Sequence, residues 1–185
     1  MNHKILDALS YKNKGRPPVW LMRQAGRYMP EFRALRQKYS FIDLCKNPEL
    51  VTQVTLMPVE QLQVDAAILF SDILVVADAL QVGFHVEEGK GPVIDRPVST
   101  LADVEALPNP DVREALGYVD AGIRRLKNTL KVPLIGFCGG PFTVAAYMIE
   151  GGTSKRWKKT KQWMFCDPEG FHSLPEHHGV IGQGR

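Results

Sequence analysis

The sequence predicts an α/β fold built from βα units around a parallel sheet, and three observations carry that prediction. Short apolar runs, Val19–Met22, Asp65–Asp72 and Val132–Phe137, alternate with longer stretches of helical period. Arg23, Asp72 and Gly139 stand where those runs end, and chemistry-bearing groups collect at strand ends in this class. The chain has 185 residues, 44% hydrophobic and 23% charged, which suits one globular domain with a sizeable core.

Taken in order, Met1–Leu9 lacks the apolar core of a secretion signal, and no later run approaches the roughly 18 apolar residues of a membrane span. A soluble, cytoplasmic protein is expected. Pro17-Pro18 reads as a turn before a short buried strand, Val19–Met22, which delivers Arg23, Gln24, Ala25, Gly26, Arg27 and Tyr28. A guanidinium keeps its charge and needs a partner wherever water is excluded, and a substrate carboxylate is one such partner. Spacing alone equally allows Arg23 and Arg27, at i and i+4, to be one face of a surface helix.

Glu31–Tyr39 has helical character. Asn47-Pro48 looks like an N-cap with proline at the first helical position, and Leu50, Val54 and Met57 mark the amphipathic helix that follows, with a kink expected near Pro58. Asp65–Asp72 is the clearest strand. Gly83–Pro97 suggests a hairpin, Thr100 to Asp103 a capping box, and Asn109-Pro110 the opening of a helix carrying Leu116, Val119, Ile123, Leu126 and Leu130 on one face. Val132–Phe137 is the next strand, and Phe142–Ile149 the next helix, ended by Gly151-Gly152.

Two architectures fit this order. A Rossmann-like sheet is expected to show GxGxxG after its first strand, where this chain has Arg23-Gln24-Ala25-Gly26-Arg27. A β/α barrel places its chemistry at strand C-termini, although a full one needs roughly 250 residues.

Lys and Arg number 23 against 20 Asp and Glu, a net charge of +3, too mild to argue for nucleic acid. Most of the excess lies in Lys155–Lys161, read as a solvated helix face around one buried aromatic, Trp157. Cys45, Cys138 and Cys166 are far apart and form no CxxC pair, so neither a disulfide framework nor a metal site is indicated. His172, His177 and His178 are expected to belong to a disordered polar tail, and His85 to the surface. Glu88–Gly91 lacks the residues of a phosphate loop. Asp72 reads either as a helix cap or as a carboxylate able to stabilise a cation, Gly139-Gly140-Pro141 as a tight turn or an anion cradle, and Tyr147 as a core residue.

Four successive motifs carry a resemblance. Met22–Tyr28 with Pro30, then Ile68–Leu74, then Gly136–Thr143, then Tyr147–Gly152, in this order, are similar to signatures of the uroporphyrinogen decarboxylase family. The similarity runs from about Ile5 to Leu174. It implies a (β/α)8 TIM barrel, of which residues 1–174 would be about the first half, acting as a cofactor-free homodimer without nucleic-acid or membrane partners. The implied reaction removes carbon dioxide from the four acetate side chains of uroporphyrinogen III, giving coproporphyrinogen III in porphyrin biosynthesis. Arg23 and Arg27, with Arg36 as a weaker candidate, are then expected to hold substrate carboxylates. Gln24, Ala25 and Gly26, through their backbone, and Phe41 are expected to line the cleft. Asp72, Arg23 and Tyr147 are the expected catalytic set.

Residues 175–185 leave the family pattern, with proline and three glycines where a helix is expected. A frameshift or premature stop just after Leu174 is the expectation for that tail, as is an aggregation-prone chain of little activity, because the strands that close the barrel and a Ser/Thr and a His facing the substrate lie in the missing half. The rival readings are a methyltransferase of the same superfamily and a non-catalytic fragment that at most binds a tetrapyrrole.

Overall fold

A computed structural model describes residues 4–87 and 89–174; the expected disordered tail at 175–185, with His177 and His178, lies outside the described residues, while His172, expected in the same tail, lies in a helix. In chain order the helices are α1 (Lys4–Leu9), α2 (Pro30–Lys38), α3 (Phe41–Lys46), α4 (Pro48–Leu62), α5 (Val75–Ala79), α6 (Leu101–Glu105), α7 (Val112–Ala115), α8 (Gly117–Thr129), α9 (Pro141–Glu150) and α10 (Lys158–Cys166). The strands are β1 (Ala67–Ile68), β2 (Phe84–Glu87), β3 (Gly91–Ile94) and β4 (Leu134–Ile135). Residues 168–174 are also helical. The fold is α/β.

Two compact units divide these elements, one drawn from Met1–Ser71 with Tyr118–Phe137, the other from Asp72–Gly117 with Cys138–Arg185. In the first, β1 and β4 pair in parallel, Ala67 against Leu134 and Ile68 against Ile135. The helices around them start where their sequences say they should. Ser40 and Asp43 form a reciprocal capping box for α3, and the Asn47 side chain accepts the N–H groups of Glu49 and Leu50 ahead of Pro48. Pro58 lies inside α4, which runs on to Leu62. This helix is buried on two sides: Leu50, Val54 and Met57 join Met29, Phe32 and Leu44, while Val51 joins Leu69 and Leu126.

The second unit holds the antiparallel hairpin β2–β3, in register from Phe84 opposite Ile94 to Glu87 opposite Gly91. Its second strand and the segment that follows are fastened to the end of α9: Ile94 donates to the Gly151 carbonyl at 3.1 Å, and Val98, past the strand, to that of Met148 at 3.1 Å. Gly152 bridges Val93 at a φ of +142°, and a Cβ there would lie 2.5 Å from the Pro92 oxygen. Only glycine closes this junction. Thr100 and Asp103 cap α6 reciprocally, as the sequence indicated.

Four sequence expectations are corrected. Val19–Met22 is not a buried strand: Val19, Leu21 and Met22 are exposed, and residues 22–23 form a turn. The stretch meets the lead-in to β1 at one backbone bond, Asp65 N–H to the Val19 carbonyl at 2.7 Å, and side chains supply the other ties, so no ladder propagates. The clear strand at 65–72 and that at 132–137 pair over only two residues each. Asp111, not Asn109, caps the next helix, and the chain breaks at Leu116 into α7 and α8. Trp157 precedes α10 in a left-handed conformation and is half-buried, and the buried aromatic of α10, Trp163, lies just beyond the basic segment.

On the hairpin, His85 Nδ1 lies 2.6 Å from Asp95 Oδ1, and Nε2 lies 3.4 Å from Glu87 Oε1. The bond to Asp95, and then that to Glu87, raise the histidine above its usual 6.5. A raised folded-state value means that the protonated pair stabilises the hairpin fully below pH 6.5, and that this is lost as pH rises through the higher folded value. Proton NMR of His85 is expected to give an apparent pKa above 6.5 that falls back in Asp95→Asn; an unchanged value in that variant would refute the pairing.

Candidate functional site

The sequence-predicted residues fall into two groups, one in each unit. In the first, the chain turns sharply at Arg23, whose φ is +55°. A left-handed backbone at a long, unbranched cation costs about 1–2 kcal/mol and persists only where the surroundings hold it. They do so here through Gln24. Its side chain is buried; Oε1 accepts the Leu21 N–H at 3.2 Å and Nε2 donates to the Ala66 carbonyl at 3.1 Å. The Gln24 carbonyl in turn accepts the Tyr28 hydroxyl. Arg23 and Arg27 are exposed on either side of this anchor, so the helical surface pair allowed by their spacing is not formed.

Downstream, α2 and α3 complete the group. Arg33 donates to the carbonyls of Arg27 and Tyr28 at 2.9 and 3.3 Å, tying the end of the turn to α2. Ala25 packs against the Met29–Phe32 cluster, as does Phe70. Phe70 meets Phe32 and Phe41 edge-on, each with ring centroids 5.7 Å apart. The Arg36 guanidinium sits 6.0 Å above the Phe41 ring and donates to the Tyr39 carbonyl at 2.7 Å. Arg36 and Phe41 are therefore coupled to each other, and through Phe70 to the core on which Ala25 rests. Gly26 is half-buried, and a Cβ there would meet the Tyr28 ring at an ordinary 3.5 Å.

Upstream, Asp65 fastens the segment that enters the turn. Its carboxylate is buried and receives Arg16 through two bonds, 2.8 and 3.2 Å, with the Val19 N–H at 2.9 Å and Lys4 Nζ at 3.6 Å. Sequence reasoning missed Asp65, Arg16 and Arg33. A carboxylate entering an apolar run was the available sign for the first; nothing local marked the others.

The second group holds Asp72 and Tyr147. Asp72 is half-buried and its Oδ1 accepts the Leu74 N–H at 2.8 Å, a local turn three residues ahead of Val75; it is not the helix cap that the sequence offered, since Leu74 occupies that position with no side-chain bond. Helix α5 packs against α9, which carries Tyr147. At the head of α9 a Cβ on Gly139 would lie 2.4 Å from Val144 Cγ2 and 3.1 Å from Ile73 Cβ, so the glycine admits the residue next to Asp72 at close range. Gly140 and Pro141 start α9, with proline removing one donor from any anion cradle there. Tyr147 is half-buried rather than core, its ring edge-on to Trp157 with centroids 5.5 Å apart.

Among the described residues no cluster of three or more His, Cys, Asp or Glu is placed to hold a metal ion, and no helix is long and apolar enough to cross a membrane. The first unit offers two exposed arginines on an ordered turn; the second offers a half-buried carboxylate and, on α9, a half-buried phenol.

Comparison with known proteins adds the following. A family model described as uroporphyrinogen decarboxylase (URO-D) matches residues 1–178. A protein of Protochlamydia amoebophila named uroporphyrinogen decarboxylase is 58% identical over 173 residues, covering 94% of this chain and 48% of the relative. One of Aeromonas salmonicida with the same name is 49% identical over 176 residues, covering 94% and 50%. The chain thus spans about half the length of these curated relatives. Among solved structures, a methyltransferase from Methanosarcina mazei superposes with a TM-score of 0.70 over 97% of this chain and 52% of its own, at 17% identity, a likeness of fold alone.

Proposed function

Because the chain belongs to the uroporphyrinogen decarboxylase family, we propose that residues 1–174 are the N-terminal part of a (β/α)8 barrel that binds uroporphyrinogen III and serves its decarboxylation to coproporphyrinogen III, without a cofactor, in the cytoplasm and within a homodimer. The observation that carries the reading is the ordered turn at Arg23–Tyr28, which holds two exposed guanidiniums on a buried anchor. A substrate with eight carboxylates calls for fixed, bidentate cations, and each charge-assisted bond contributes about 1.5–3 kcal/mol. Arg23 and Arg27 take acetate or propionate groups, with Arg36 and Phe41 assisting and Ala25 and Gly26 offering backbone. Asp72 gathers pyrrole N–H groups and stabilises the ring cation formed when a ring carbon is protonated; Tyr147 contributes a hydroxyl to the reacting end.

Titration of the chain with uroporphyrin, followed by absorbance, is expected to saturate, and Arg27→Ala to raise Kd by about tenfold or more. Absence of saturable binding would refute the reading. Anaerobic incubation with uroporphyrinogen, followed by chromatography of the products, then separates two outcomes: coproporphyrinogen identifies turnover, and binding without product identifies a non-catalytic fragment, the second reading favoured by the half-length coverage of the relatives. A methyltransferase role draws only on the likeness of fold.

A further inference from the structure

We propose that Gln24 is a positioning residue, whose side chain fixes the backbone geometry from which Arg23 meets its ligand and does not itself touch that ligand. A buried carboxamide must find partners for both its ends, and this one spans the turn in doing so: its oxygen takes the Leu21 N–H at 3.2 Å, before Arg23, and its nitrogen reaches the Ala66 carbonyl at 3.1 Å, next to β1. Arg23 stands between those attachments at a φ of +55°, a conformation an L residue keeps only when its neighbours are held. The Gln24 carbonyl takes the Tyr28 hydroxyl, closing the turn from the other side. At 2% exposure the Gln24 side chain faces inward, while Arg23 and Arg27 face out. The ligand half of this proposal rests on the tetrapyrrole reading above; the positioning half rests on the bonds alone.

Two substitutions in the 185-residue chain test it, with amide exchange of Leu21 and uroporphyrin binding as readouts. Gln24→Met keeps length and removes both bonds; Leu21 exchange is expected to accelerate by about tenfold or more and uroporphyrin affinity to fall by about tenfold, with both arginines intact. Gln24→Glu keeps a donor and an acceptor when protonated but has no donor for Ala66 when ionised. Burial raises the pH of that change; the ionised carboxylate still accepts the Leu21 N–H. Leu21 protection in this variant is therefore expected to persist as pH rises while its uroporphyrin affinity, relative to wild type at the same pH, falls by about tenfold with loss of the Ala66 bond, a signature that general destabilisation does not produce and that a poorly folding Met variant does not affect. Leu21 protection unchanged in Gln24→Met, a pH-independent relative affinity in Gln24→Glu, or full uroporphyrin affinity after the Leu21 amide is released would each overturn the positioning role. A wild-type chain that takes up no uroporphyrin overturns the tetrapyrrole reading alone, and the exchange comparison still decides whether Gln24 holds the turn.

Discussion

Asp72→Asn, made at the matching position of a full-length relative, is expected to lower kcat by about two to three orders of magnitude while KM changes little, because the substitution removes a charge and leaves the local structure standing. Asparagine keeps an oxygen for the Leu74 N–H that Asp72 accepts at 2.8 Å, so the turn into α5, and with it the packing of α5 on α9, survives. What is lost acts only as the reaction proceeds. Departure of carbon dioxide leaves an electron pair that a cofactor-free enzyme must place on the substrate, and a protonated pyrrole accepts it as an electron sink; a carboxylate beside that ring stabilises the cation more than the neutral ground state. Removing one preorganised group of this kind costs about 3–4 kcal/mol, whereas uniform binding energy would appear in KM. Asp72→Ala should match the loss in kcat and add a fall in stability, since the Leu74 N–H then loses its acceptor. Chromatographic rates of coproporphyrinogen formation check both variants. Equal losses in kcat and affinity for Asp72→Asn would assign the carboxylate to binding instead.

Much of the fold was legible because it is written in local chemistry. Asn47-Pro48, Thr100 with Asp103, and Gly151 each act on backbone groups within a few residues of themselves, and each does in the structure what its sequence context indicates. The hairpin at Phe84–Ile94 follows for the same reason. Strand extents were not legible, since a ladder needs a partner that periodicity does not report: β1 and β4 come from similar apolar runs yet pair over two residues each. Val19–Met22 failed as a strand for a sharper reason. Its bonding to the β1 lead-in is made chiefly by the side chains of Gln24 and Asp65, from positions 42 and 46 residues away in the chain, and no window of sequence contains both ends.

The candidate site divides along the same line. That Asp72 and Tyr147 stand at the end of an apolar run and on a helix was readable from order and spacing, whereas Arg23 was expected at a strand end or on a helix face and stands at a turn. That Arg23 adopts a left-handed backbone was not readable, because arginine gives no sign of it as glycine or asparagine would. Phe41 and Arg36 were named on resemblance, and their mutual contact, a guanidinium over a ring whose edge meets Phe70, depends on the packing of α2 and α3.

Asp65→Ala is expected to destabilise the chain by about 3 kcal/mol, more than any single arginine substitution around it. The carboxylate is 2% exposed, and its partners differ in what they lose when it goes. Arg16 is 56% exposed and recovers water, so its share, discounted for solvent, is about 0–1 kcal/mol. Lys4, at 3.6 Å and 42% exposed, contributes less. The Val19 N–H, 2.9 Å from Oδ2, gives up a bond to a charged acceptor at a part-buried position, a term of about 1.5–3 kcal/mol, and the vacated space adds to it. Asp65→Asn retains an oxygen for Val19 but turns an amide toward Arg16, and belongs between the two. Urea unfolding is therefore expected to order the losses as Asp65→Ala, then Asp65→Asn, then Arg16→Ala. An Arg16→Ala loss equal to that of Asp65→Ala would reverse the assignment and make the ion pair the main tie. With the losses in that order, Asp65 secures the backbone leading into Arg23 chiefly through Val19, so Asp65→Ala should also loosen the turn and weaken uroporphyrin binding, whereas Arg16→Ala should leave that affinity near wild type.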